Sequence, residues 1–300
     1  MRVRNKVQRA VLGWWDAMHD ASYIPGVFAE FGDLPVLRAG RDLLVSGDRA
    51  VIWRAMDFLR QFRFSSADDA LRSRFYRAAP RYFAPRLRRL LRNEDHLTRS
   101  FAIYTIGQLR LYAEAKALRA AFPWFVEHDP LALPGLLVEL GWLHDARGVS
   151  ARMKQIVRHR DFVVRWTAFG YFTSVGVGKR GPYRRERVEL LNQLEQDEVP
   201  AIAAEARYEL DELLREARAP APKFWGETIC NGESSVARRP ALTYDALEIG
   251  FHNRLHERNQ RDYTPAEFAA YARERGAFVP QPARATKRNG RGSRPGRSRT

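Results

Sequence analysis

Cysteine is almost absent from this 300-residue chain: Cys230 stands alone, which excludes an internal disulfide and any zinc site built on several cysteines. Lysine is scarce as well, so nearly all the positive charge is arginine. Long apolar runs are missing. No stretch approaches the roughly 20 residues that span a bilayer, and Val11 to Trp15 is too short, and too soon followed by Asp16, for the core of a secretory leader. These absences fit a reducing, cytoplasmic setting without integral membrane association.

What is present is charge and a sufficient core. Hydrophobic residues make up 45% of the chain, and the formal charge is +16 from 51 basic against 35 acidic residues. Such a balance favours a polyanionic partner. Its placement is uneven. The first nine residues hold Arg2, Arg4, Lys6 and Arg9, and residues 281 to 300 hold Arg284, Lys287, Arg288, Arg291, Arg294, Arg297 and Arg299, with no acid in either stretch; removing these eleven leaves +5 for residues 10 to 280. The body is thus mildly basic, and the ends carry most of the excess.

Self-comparison brings five segments into register on Asp48, Asp95, Asp129, Asp161 and Asp197, at intervals of 47, 34, 32 and 36 residues. Seven places on stand Ala55, Ala102, Leu136, Ala168 and Ala204; eleven places on stand Leu59, Ile106, Leu140, Phe172 and Tyr208. The two columns are four apart and share a helix face, a small residue admitting a neighbouring helix and a larger one filling the space beside it. The aspartates suit N-caps, which accept the free amide protons of a first turn. Each of the last four segments follows another apolar stripe, such as Leu87, Leu90 and Leu91, or Met153, Ile156 and Val157. Helix pairs of this kind cannot bury their faces alone and must stack.

The run Asp161, Val163, Arg165, Ala168 and its counterpart Asp95, Leu97, Arg99, Ala102 resemble HEAT repeats; Ile52, Leu133 and Ala201 replace the arginine in the other three segments. The resemblance implies an all-α fold, a right-handed superhelical stack of antiparallel helix pairs over residues 45–217 with a concave binding face. It implies no reaction. Asp95 with Arg99, and Asp161 with Arg165, have the spacing of intrahelical or inter-repeat ion pairs and are read as structural.

The flanks are simpler. Residues 1–44 form a capping region that opens with an amphipathic helix, Val3, Val7, Val11, Trp14 and Met18 lying on one side. Residues 218–240 form a linker marked by Pro220 and Pro222. Residues 241–280 form an appendix with helices expected from Tyr244 to Glu257 and from Thr264 to Arg275, the second with Thr264 as cap, Pro265 at its first position and Glu267 three residues past the cap. Residues 281–300 form a basic tail whose composition predicts disorder.

Candidate chemistry is thin. Gly176, Val177, Gly178, Lys179, Arg180 and Gly181 invite a P-loop reading, but Arg180 replaces the magnesium-binding hydroxyl and the run follows a helix. With Arg184, Arg185 and Arg187 close behind, Lys179 and Arg180 are candidates for phosphate contact. Glu248, His252 and His256 share a helix face but are read as a polar stripe, and Cys230 has no activating partner. HEAT-like stacks also form the DNA-alkylation-repeat glycosylases. That likeness implies an enzymatic alternative, for which Trp142 with Asp145, and Trp14 and Trp15 with Asp16, are loose echoes. The favoured reading is a non-enzymatic scaffold without cofactor or metal. It binds a protein on its concave face, with the basic ends adding attachment to nucleic acid or another polyanion; direct nucleic-acid binding along the groove is the rival.

Overall fold

The computed structural model describes residues 5–17, 20–175, 184–218 and 240–280. Among them are fourteen α-helices and no strand, so the described part of the chain is all-α. None of these helices is long and apolar enough to cross a membrane.

Short polar residues start the helices. Asp48 accepts the Ala50 amide at 2.9 Å to open α4 (Arg49–Gln61), and Asp95 accepts that of Thr98 at 3.0 Å to open α6 (His96–Gln108). Asp161 takes the Val163 amide at 3.1 Å before α10 (Phe162–Val175), and Asp197 that of Val199 at 2.9 Å before α12 (Pro200–Arg218). Asp129 departs from the expectation. It precedes a 3-10 turn, Pro130–Ala132, whose first residue has no amide proton, and its side chain caps nothing. Its carboxylate is committed to a buried ion pair instead.

Helices α4, α6, α8 (Leu133–Trp142) and α10 pack in succession, each on the next. They are flanked by α5 (Asp69–Leu90), α7 (Ala115–His128) and α9 (Ala146–Val157); α11 (Arg184–Leu194) packs on α9 and α12. Ala55, Ala102, Leu136 and Ala168 are fully buried, as the close approach of neighbours requires. Ala204 is only half-buried, and Ala201, Ile202 and Ala206 face the core in its place. The register slips because Pro200 disfavours helical geometry at Val199, so α12 starts three residues after its aspartate rather than one.

At the N-terminal end, α1 (Lys6–Gly13) packs on α3 (Asp33–Leu43) and α4, burying Val11, with Trp14 just beyond it also buried; α2 (Tyr23–Phe31) lies beside α3. Val3 and Met18 lie outside the described residues. The appendix forms α13 (Tyr244–Glu257) and α14 (Pro265–Glu274), the latter with the Thr264/Glu267 capping box and Pro265 at its first position. Both helices pack on α10. A β-carbon at Gly170 would collide with the Tyr244 ring and stand 2.8 Å from Pro134, so the glycine is what lets α13 settle where α8 and α10 meet. Gly170 lies two residues past Ala168, about 200° round the helix, so the appendix occupies a different side from the alanine column.

Candidate functional site

The N-terminal ends of the helix row form one edge, tied by arginine. Arg99 donates through Nε to Asp129 at 2.7 Å and through Nη2 to Asp262 at 2.6 Å, and its Nη1 reaches the Asn93 carbonyl at 2.8 Å. Arg99 is 1% exposed and Asp129 0%. Burial pushes the Asp129 carboxyl up to about 6, with Arg99 and the Tyr263 hydroxyl pulling against it. Arg165 pairs with both oxygens of Asp197 at 2.6 and 2.9 Å. These pairs run between successive segments rather than within one helix. Where Ile52 stands in place of the arginine, Arg49 reaches Asp95 at 3.3 Å.

The appendix closes this edge. The Arg261 carbonyl accepts the His96 amide at 3.0 Å and the Ala277 carbonyl accepts the Ala201 amide at 3.1 Å, satisfying first-turn amides of α6 and α12. Tyr263 donates its hydroxyl to Asp129 at 2.8 Å and accepts the Leu131 amide at 2.9 Å. Glu205 is buried, accepting from Trp166 Nε1 at 2.7 Å and from the Tyr244 amide at 3.0 Å, and burial raises its carboxyl to about 8. His252 stacks on His96 with centroids 5.1 Å apart, and burial lowers His96 to about 3. Glu248 is raised to about 7 by burial, while His256 is exposed. Among the described residues, no three groups of metal-ligating type converge.

The C-terminal ends of α4, α6 and α8 form the opposite edge, and it is open. Phe64, Trp142 and Tyr112 are 67%, 57% and 50% exposed. The Arg63 guanidinium lies 5.6 Å from the Phe64 ring and 5.3 Å from Trp142, and donates to Gln108 Oε1 at 3.0 Å, so one side chain bridges all three helix ends. Arg110, in the left-handed region at φ 53°, lies 5.3 Å from the Tyr76 ring. Tyr112 stacks on His144, itself at φ 61°, at 5.5 Å and 8° between planes. Arg72 is held by the carbonyls of Arg63, Ser65 and Ala67. No carboxylate among the described residues pairs with Arg63, Arg72 or Arg110.

The acids nearby are spent elsewhere. Glu114 receives two hydrogen bonds from Arg88, Asp145 caps α9 and takes Arg119 at 2.7 Å, and Asp57 takes Trp14 Nε1 at 2.9 Å. Glu139 is buried against Gly107, its Oε2 without a hydrogen-bond partner, and burial raises its carboxyl to about 8 against the pull of Arg60 and Arg63. Burial thus favours its uncharged form. An apolar cavity of about 400 Å³ adjoins the edge, sharing Trp142 with it and lined further by Val149, Met153, Phe172 and Leu190.

Of the basic residues singled out by sequence, the described ones lie on α1 and α11. Lys6 pairs with Glu30 at 2.7 Å and Arg9 is exposed on the same helix. On α11, Arg184 reaches the Leu213 carbonyl at 3.3 Å, Arg185 pairs with Glu189 at 3.1 Å and Arg187 with Glu209 at 2.6 Å. Arg2, Arg4, Lys179, Arg180, Cys230 and all of residues 281–300, Lys287, Arg288, Arg291, Arg294, Arg297 and Arg299 included, lie outside the described residues. Of the glycosylase echoes, Trp14 is buried and Asp145 is a cap. The open edge was missed, although the repeat register holds its signal: fifteen places past Asp48, Asp95 and Asp129 stand Arg63, Arg110 and His144. Comparison with protein-family models, with curated proteins and with solved structures gives no match.

Proposed function

We propose that this chain is a non-enzymatic interaction scaffold, a HEAT-like superhelical stack of helix pairs that binds a macromolecular partner within an acidic or nucleic-acid-containing assembly. The observation that carries this reading is the open edge, where arginines without carboxylate partners alternate with exposed rings across three successive helix ends. Isolated exposed apolar residues are ordinary on protein surfaces, whereas clustered rings with arginine are the composition of contact surfaces. The helix α13 packs on α10, and the open edge at the ends of α4, α6 and α8 is the surface assigned to the partner in this reading. Asp129 and Glu205 are engaged by packing partners, which supports a structural role for these two carboxyls. The basic ends add attraction that is independent of sequence.

The test is capture from the native cell, with and without nuclease, by the wild-type chain and by an Arg63→Glu, Trp142→Ala variant. Partners retained by the wild type and lost by the variant are expected. An identical set on both would overturn the assignment of the edge.

A further inference from the structure

We infer that the edge formed by the ends of α4, α6 and α8 binds single-stranded nucleic acid, with Phe64, Tyr112 and Trp142 as stacking platforms and Arg63 and Arg110 as phosphate contacts. The inference rests on the reading of this edge as the contact surface and names the class of partner it fits.

Two properties select this ligand. The first is the pairing of flat exposed rings with guanidinium groups. Unpaired bases offer a π-face to an aromatic side chain whatever their sequence, and the backbone that joins them needs positive charge alongside. A duplex hides its base faces and would leave Phe64, Tyr112 and Trp142 unused. An acidic protein would satisfy the arginines but gives no reason for three rings, each at least half exposed, to sit among them.

The second is the state of the local charge. Arg63 is held by an amide oxygen and Arg72 by backbone carbonyls, so both are oriented without being neutralised. The carboxylates that might offset them are bound to Arg88 and Arg119, or buried against Gly107 as Glu139 is, without a hydrogen bond to either arginine. Successive helix ends also repeat the same chemistry: ring and arginine at Phe64 and Arg63, ring and arginine at Tyr112 and Arg110, ring and imidazole at Trp142 and His144. A repeated ligand with one base and one charge per unit matches a repeated surface of this kind.

The basic ends of the chain attract any polyanion, so the decisive variants change rings and leave charge alone. In the full-length protein, a labelled 15-nucleotide oligothymidine and a duplex of the same length are titrated at several salt concentrations and followed by fluorescence anisotropy. Phe64→Ala with Trp142→Ala is expected to weaken single-strand binding by about ten- to a hundredfold while leaving duplex binding unchanged. Trp142→Phe, which keeps a ring, should retain most of the affinity. Arg63→Gln with Arg110→Gln should lower the slope of log affinity against log salt by about 1.4, two phosphates at about 0.7 each for single strands. Ring variants that bind the single strand like wild type would overturn the inference, and so would a wild type that prefers the duplex. If the oligonucleotide result is negative while a nuclease-resistant protein is captured through the same edge, the ligand assignment fails and the scaffold reading stands. If neither binding depends on the edge, both fail.

Discussion

At the N-terminal ends of the helix row, Arg99 is enclosed by Asp129, Asp262 and a carbonyl and is all but inaccessible, whereas at the C-terminal ends Arg63 and Arg110 meet rings and an amide and no carboxylate. One residue type, repeated along one row of helices, is structural at one edge and available at the other. The difference is made by what covers each edge. The appendix lays carbonyls, Asp262 and Tyr263 across the first and leaves the second bare. An arginine count, or a net charge, cannot separate the two, because the deciding partners are remote in sequence.

The sharpest way to break this comparison is to remove one arginine from each edge. Arg99→Leu strands the buried Asp129 carboxylate and should cost about 3 to 5 kcal/mol, read as a shift in urea midpoint, and Arg99→Lys should recover little because a single ammonium cannot serve Asp129 and Asp262 in the same geometry. A loss below about 1 kcal/mol would show that the edge relaxes around the missing charge. Next comes Gly170→Ala, which drives a methyl into the Tyr244 ring and should cost about 1 to 3 kcal/mol. Limited proteolysis should then cut first between α13 and α14; a wild-type digestion pattern would mean that α13 yields without leaving its seat.

The pH response tests the same edge through its carboxyls. Glu205 and Glu248 have folded values near 8 and 7, above the ordinary 4.5, so the stability they confer is complete below about 4.5 and is lost as pH rises through those values. His96 works in the other direction, its folded value near 3 lying below the ordinary 6.5, so its contribution is present above 6.5 and lost on acidification. Between about 6.5 and 8 the raised carboxyls act, Glu139 at the open edge among them, and the urea midpoint should fall with rising pH. Glu205→Gln keeps an acceptor for Trp166 and Tyr244 while removing the titrating group, so it should reduce that slope and leave the part due to Glu139 and Glu248. A slope unchanged in this variant would place the titration elsewhere. The smallest effect is expected at the open edge, where Arg63→Gln and Arg110→Gln should each leave stability within about 0.5 kcal/mol; a larger loss would mark these arginines as structural after all.

The sequence displayed whatever is local. Caps at Asp48, Asp95, Asp161 and Asp197, the buried alanines 55, 102 and 168, and the Thr264 box all depend on residues within a few positions of one another. Asp129 and Ala204 were misjudged for local reasons too, a proline one residue past the first and another four residues before the second. The docking of the appendix was invisible because its determinants are a missing side chain at Gly170 and a charge match between Arg99 and Asp262, neither of which has a periodic signature. The open edge was hidden differently. Its residues lie just past the helix ends, where the search for helical periodicity stops.

The contact between Arg99 and Asp262 joins positions 163 residues apart. Arrays whose units touch only their neighbours can come apart from either end, one unit at a time. Here the last helices hold α6 and α12 together, so fraying of any helix pair between them must also break a bond made by the far end of the chain. Unfolding of this middle section is therefore expected to be all-or-none. Its assembly is correspondingly late: Arg99 Nη2 has no carboxylate to donate to until residue 262 is in place, and closing so long a loop slows the final step relative to the local pairings that precede it.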